Sequence, residues 1–223
     1  MNLTSIWRWT SSVFRIPFSR WVKLLVGLAS VGIGIAFTKQ ANLGLGPWDV
    51  LNDGLAQLTG IQLGTASIVI GVLVMLFWIP FREKPGIGTV TNLLLIGVFM
   101  DLALAIVRSA NGLFLRSVWL IAGLLLAAIG SVLYLGSQLG AGPRDGLMLG
   151  LRRKTGWSVH LTRTALEVSV LVAGWLLGGA VGIGTVLFAL AIGPMIHLMA
   201  SMTGVELGKA NIKTVDVRGC CGY

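Results

Sequence analysis

Six apolar stretches, near residues 21–38, 63–81, 86–107, 118–137, 158–178 and 182–203, take up most of the chain. A helix rises about 1.5 Å per residue, so a run of roughly 20 apolar residues crosses about 30 Å of hydrocarbon. Within hydrocarbon every backbone N–H and C=O must be paired inside the protein, which leaves only helices or closed barrels. Runs this long and continuous exclude the alternating strands of a barrel, about ten residues each. The expected fold is therefore an all-α membrane protein with six transmembrane helices. A composition of 55% hydrophobic and 11% charged residues agrees, and 223 residues leave no room for a sizeable soluble domain.

The 17 basic residues outnumber the 8 acidic ones, and in a soluble chain the net charge of +9 would suggest nucleic acid. Here placement matters more than the sum, and no nucleic-acid partner is expected. With a cytoplasmic N-terminus, one side receives Arg8, Arg15, Arg20, Lys23, Arg82, Lys84, Arg144, Arg152, Arg153, Lys154, Arg163, Lys209, Lys213 and Arg218, while the other receives Lys39, Arg108 and Arg116. The excess on one side predicts that both termini are cytoplasmic. Basic residues before the first apolar run mimic a signal peptide, but no A-x-A-like site closes "VGLASVGIGIAFTKQA", so a retained span is expected. Trp7, Phe14, Phe18 and Trp21 recur at near-helical spacing among arginines, as an aromatic belt at the interface would. Cys220 and Cys221 are neighbours in the tail and suggest neither a disulfide framework nor a metal site.

Laid over residues 121–198 without a gap, residues 25–102 show 25 identities in 78 positions, an internal duplication. One cluster is G-x-G-P-x-D in "NLGLGPWDVLNDGLAQLTG" (42–60) and "QLGAGPRDGLMLGLRRKTG" (138–156); a second is "GIGTV" at 86–90 and 182–186. Each unit holds three spans, an odd number, so the second copy must enter the membrane from the opposite side. The expected organisation is an N-terminal cytoplasmic or interfacial segment (1–20), a first three-helix repeat (21–107), an extracytoplasmic connector (108–117), a second, inverted repeat (118–203) and a cytoplasmic tail (204–223). Such a pair serves a device with two pseudo-symmetric entrances, and it equally serves a bundle built by gene duplication.

Within the loop motif, Gly44 and Gly46, or Gly140 and Gly142, permit backbone conformations closed to other residues. Pro47 or Pro143 suits a first helical turn, and Asp49 or Asp145 places a carboxylate by exposed amides. About twelve residues follow before a terminal glycine, too few to span. Each unit thus carries a short amphipathic or re-entrant helix after its first span. Ordinary capping explains the motif locally; a half-helix lining a substrate path is the functional reading. The small residues of "GIGTV" allow close helix packing, and Thr89 and Thr185 offer hydroxyls to a cavity or to their own backbone.

Glu167 falls midway along its span, where a lone carboxylate is costly, so it is expected to face the interior with a partner. His160, Arg163, Thr164 and Glu167 follow i, i+3, i+4, i+7 along one face, against Gly64, Ser67, Ile68 and Gly71 in the first unit. A proton relay and a tying Arg163–Glu167 ion pair both fit. Asp101 and His197 are matched titratable residues in the last span of each unit, with either a relay or a structural use. No nucleophile constellation, phosphate loop or metal motif is present, so no enzyme activity, cofactor or metal is expected.

The stretches "GLGPWDVLNDGLAQLTG" and "KPGIGTVTNLLLIGVFMDL" resemble the YczE/YyaS/YitT group of bacterial membrane proteins, over roughly residues 21–205. The resemblance implies a bacterial plasma membrane protein, with small-molecule export suggested for the group. The expectation is a secondary transporter exporting a small organic compound, proton-coupled through Glu167, with the lipid bilayer, an unknown small-molecule substrate and a second copy in a homodimer as partners. The competing expectation is an accessory that binds and stabilises or regulates another membrane protein through small-residue helix faces.

Overall fold

The structure, a computed structural model, describes residues 17–81, 86–140 and 142–203. Trp7, Arg8, Phe14, Arg15, Arg82, Lys84, Lys209, Lys213, Arg218, Cys220 and Cys221 lie outside the described residues. Among the described residues are eight α-helices and no strand. In chain order they are α1 (Phe18–Ala41), α2 (Pro47–Thr59), α3 (Leu63–Leu76), α4 (Ile87–Ile106), α5 (Leu113–Gly136), α6 (Pro143–Thr155), α7 (Val159–Leu176) and α8 (Ile183–Thr203), with a 3-10 turn at Ile79–Phe81. Phe18, Arg20 and Trp21 are thus part of the first helix itself, and the connector between units shortens because α5 starts at Leu113.

Among the described residues, five segments are long and apolar enough to cross a membrane: Phe18–Ala41, Leu63–Phe81, Ile87–Ile106, Leu113–Gly136 and Ile183–Thr203. The sixth expected span becomes α7, an 18-residue helix. Its His160, Arg163 and Glu167 all fall in its first half and lower its hydropathy there. The molecule is a multi-pass membrane protein, and its outer surface agrees. Large apolar side chains such as Phe77, Ile106, Leu190 and Leu198 are exposed along the long helices, an arrangement that water would penalise and lipid accommodates.

The helix bounds repeat with the sequence. Residues Pro47–Thr59 and Pro143–Thr155 are 96 apart at both ends, and α3 and α7, like α4 and α8, begin 96 apart. At the centre α1 and α5 cross antiparallel, because Gly27 packs on Gly130 and Tyr134 while Gly34 packs on Gly123 and Ala127. A Cβ at Gly34 would lie 2.7 Å from the Gly123 carbonyl oxygen, so only glycine lets the backbones approach this closely. Around this crossing sit Leu24, Leu28 and Tyr134 toward one end and Ala41, Leu120 and Leu124 toward the other.

The two units pack differently outside the crossing. In the first, α3 closes on α4: a Cβ at Gly97 would meet the Gly64 carbonyl oxygen at 2.6 Å, and Asp101 accepts from the amides of Gly64 (2.7 Å) and Thr65 (3.1 Å). In the second, Gly193, the counterpart of Gly97, has nothing within 4 Å of the place a Cβ would take. There α7 packs on α2 instead, Gly174 lying against the backbone of Leu51 and Gly54 against the Gly174 carbonyl. The sequence explains this. Gly64 and Gly71 of α3 are replaced by His160 and Glu167 of α7, too large for a backbone contact with α8, while Trp78 of the first unit is replaced by Gly174.

Candidate functional site

The two G-x-G loops dock on the opposite unit's "GIGTV". Gly184 donates its amide to the Leu43 carbonyl at 2.8 Å, and Gly88 donates to Leu139 at 3.0 Å. Gly44 and Gly140 have φ of 114° and 142°, a region that L side chains rarely adopt, and a Cβ at Gly44 would sit 2.6 Å from the Gly182 nitrogen. Thr89 and Thr185 are buried, and their hydroxyls accept from the amides of Gly86 (3.1 Å) and Gly182 (3.2 Å) at the starts of α4 and α8. Both motif clusters therefore recur because each is the other's socket.

Past these sockets the chain turns into α2 and α6 with proline in the first turn: Gly46 and Gly142 are extended, and Pro47 and Pro143 open the helices. The two beginnings meet. The Arg144 guanidinium lies 5.1 Å from the centre of the Trp48 ring and donates to Asp49 Oδ1 at 3.5 Å. Trp48 and Arg144 occupy the same variable position of G-P-x-D, 96 residues apart, and stack on each other. Asn52 donates to Asp49 at 3.3 Å. The Tyr134 hydroxyl donates to Asp145 at 3.1 Å and accepts from the Gly142 amide at 2.6 Å, which fastens the start of α6 to α5.

Beside this junction is a cavity of about 180 Å³. Its polar lining comes from Asn52, Ser67, Asn92, Ser131, Arg144 and Asp145, and Trp48, Tyr134 and aliphatic residues of α1, α3 and α4 supply the rest. Apolar walls with a few convergent polar groups are the usual form of a small-molecule site. Asp49 is buried, and the Arg144 side chain is 41% exposed. Both carboxyls lie in short helices outside the long apolar spans. Loss of water raises Asp49 and Asp145 above the usual carboxylate range; Arg144 opposes the rise at Asp49, and the Tyr134 hydroxyl opposes it first at Asp145.

Of the residues singled out from sequence, Gly142, Pro143 and Asp145 line the cavity and Asp49 stands behind Arg144, whereas Gly44, Gly140, Thr89 and Thr185 build the sockets. Gly46 and Pro47 shape the start of α2, with Gly46 against the Phe188 ring. The relay candidates are not brought together here. Glu167 does hold the expected partner, Arg163 at 2.9 Å, but the pair lies on the outward face of α7, with Arg163 half exposed and Glu167 28% exposed. The expectation that Glu167 faces the bundle interior is therefore corrected: its face corresponds to the one α3 turns to α4, and α8 does not come up to cover it. His160 and His197 are exposed, and Asp101 caps α3.

Sequence reasoning passed over Trp48, Asn52, Asn92, Tyr134 and Arg144. For Trp48 and Arg144 the available signal was that they stand at a variable position, just before the aspartate, of an otherwise repeated motif. Asp53 is a further structural carboxylate, pairing with Lys39 and accepting from Gln57 (2.9 Å) and the Ala180 amide (3.0 Å), so it ties α2 to the loop before α8.

Residues 18–201 match a family described as a family of unknown function (DUF6198). An uncharacterised protein of Haemophilus influenzae is 40% identical over 179 residues, covering 80% of this chain and 82% of that protein. The uncharacterised membrane protein YczE of Bacillus subtilis is 37% identical, with 78% and 82% covered, and the protein YyaS of the same organism is 28% identical, with 78% and 88% covered. No solved structure matches the chain.

Proposed function

The chain belongs to the family of unknown function DUF6198, with YczE and YyaS among its relatives, and on that premise we propose that it is a secondary transporter exporting a small organic compound across a bacterial plasma membrane. The observation that carries the reading is the cavity where the two matched helix starts meet. Binding at the junction of repeats, between short helices whose positive ends converge, is how many secondary transporters hold substrate midway. In this reading α7 completes a sixth span, the two units are inverted across the bilayer, and both termini are cytoplasmic. Arg144, Asn52 and Asn92 hold the polar part of the substrate and Trp48 its flat or apolar part. The buried, upward-shifted Asp49 and Asp145 replace Glu167 as the groups that take up a proton during the cycle.

The test is tolerance of an efflux-deficient bacterial host to a broad panel of drugs and metabolites, comparing wild type, Arg144→Gln and Asp145→Asn at matched membrane abundance. Wild type is expected to protect against at least one compound, with protection reduced about tenfold or more in either variant. A panel in which no compound separates wild type from empty vector overturns the reading, as does equal protection by both variants.

A second reading has one observation in its favour. The uncovered face of α8 at Gly193, opposite the polar stripe of α7, suits a neighbouring membrane protein and would make this chain an accessory that stabilises or regulates it. An accessory would tolerate Arg144→Gln and lose its effect on Gly193→Leu, the opposite pattern.

A further inference from the structure

The pseudo-symmetric seams beside the cavity are sealed by different means. At the α2–α7 seam the seal is backbone: a Cβ at Gly174 would lie 2.5 Å from the Leu51 nitrogen, and one at Gly54 would lie 2.7 Å from the Gly174 carbonyl oxygen. No side-chain rotation can open such a contact. At the matched α3–α6 seam the seal is a side chain, Trp78, the counterpart of Gly174. The indole is buried, its N–H donates to the Pro143 carbonyl at 3.0 Å, and its ring fills the space where a Cβ of Gly146 would stand. Phe81 continues the same wedge against Gly150, under the Lys154 ammonium.

Position links this side chain to the cavity. Val74, one turn before Trp78 on α3, lines the cavity, and so does Pro143, whose carbonyl holds the indole. Beyond Trp78 the seam runs along α6 to Arg152, Arg153 and Lys154 in its last turn. A ring held by one neutral hydrogen bond and by packing on a glycine can rotate away without breaking any helix.

We propose that Trp78 is the gate of the cavity: its indole closes the α3–α6 seam, and its displacement opens the cavity toward the face that carries Arg152, Arg153 and Lys154, while the α2–α7 seam stays shut. This deepens the transport reading, because it names one door of the proposed transit chamber, but its test needs no transport.

The experiment uses the full chain with Cys220 and Cys221 changed to Ser and one reporter, Ser131→Cys, on α5 away from the seam. A membrane-impermeant methanethiosulfonate is applied to sealed vesicles of either orientation. In the otherwise wild-type chain, labelling from the basic face is slow. Trp78→Ala raises it at least tenfold from that face and leaves the other face unchanged. Gly146→Ala, which takes the indole's seat, acts in the same direction, so a poorly accumulating Trp78→Ala does not remove the test. Rates unchanged in both variants overturn the proposal, as do equal rises from both faces or a reporter already fast in the parent chain. A gate confirmed by labelling alongside a failed export panel would sink the transport reading alone.

Discussion

Arg144 has two claims on its guanidinium, the Asp49 carboxylate and the Trp48 ring, and the loss of the first costs more because it strands a buried charge. In Arg144→Leu, buried Asp49 keeps Asn52 as its remaining donor, and a buried carboxylate short of donors costs about 1–3 kcal/mol. Adding Asp49→Asn removes the stranded charge and is expected to recover most of that loss. A double-mutant cycle on unfolding in mild detergent checks this; additive effects would mean that the pair does not couple. The same pair shows what could and could not be read from the chain. The aspartates were visible because the motif repeats, but their partner sits at a position of the motif where the units differ, so repetition hid it. Glu167 was visible for the opposite reason, as an ionisable residue inside an apolar run. Periodicity gave the face it shares with His160, Arg163 and Thr164 and left a relay and an Arg163 ion pair open, of which the ion pair is the contact observed. Whether that face meets another helix depends on α8, 16 or more residues further along, and no local pattern carries that information.

At the scale of elements, apolar runs and glycine-proline punctuation located every helix, since each physical cause acts within a few residues: Pro47 and Pro143 start α2 and α6, and Gly60 and Gly156, both left-handed, end them. What the loops do was less legible. The docking of Leu43 on Gly184 and of Leu139 on Gly88 joins residues far apart in sequence, and a repeated motif does not say whether it contacts itself or its partner. The glycines at the centre invite a matched comparison. A methyl at Gly34 would press on the Gly123 carbonyl at 2.7 Å and the Ala127 amide at 2.8 Å, both backbone atoms that cannot step aside. Gly34→Ala is therefore expected to destabilise the α1–α5 crossing by about 1–3 kcal/mol. At Gly193, where nothing stands within 4 Å, Gly193→Ala should be neutral or stabilise by about 0.5–1 kcal/mol through helix propensity. Thermal midpoints of the purified variants in detergent decide between them. Equal losses at both sites would show that α8 is covered in the working protein, by α7 or by another chain.

For the molecule as a whole, the question that decides how the units work is whether the second enters the bilayer upside down. The antiparallel crossing of Gly27 and Gly34 with Gly130 and Gly123 supports inversion, because parallel insertion of the two units would align their first helices. The charges support it too: the last turn of α6 has gained Arg152, Arg153 and Lys154, while that of α2 has no basic residue. The loops that end these helices are therefore expected on opposite faces, and each offers an exposed side chain for the purpose, Ile61 just after α2 and Trp157 just after α6. In a chain with Cys220 and Cys221 changed to Ser, Ile61→Cys should react with an impermeant thiol reagent added outside intact cells. Trp157→Cys should react only once the cytoplasmic face is exposed. Reaction of both from one side would mean that an even number of crossings separates them, so that α3, α4 and α5 do not all span and the second unit is not inverted. The cavity would then lose the second entrance that inversion provides.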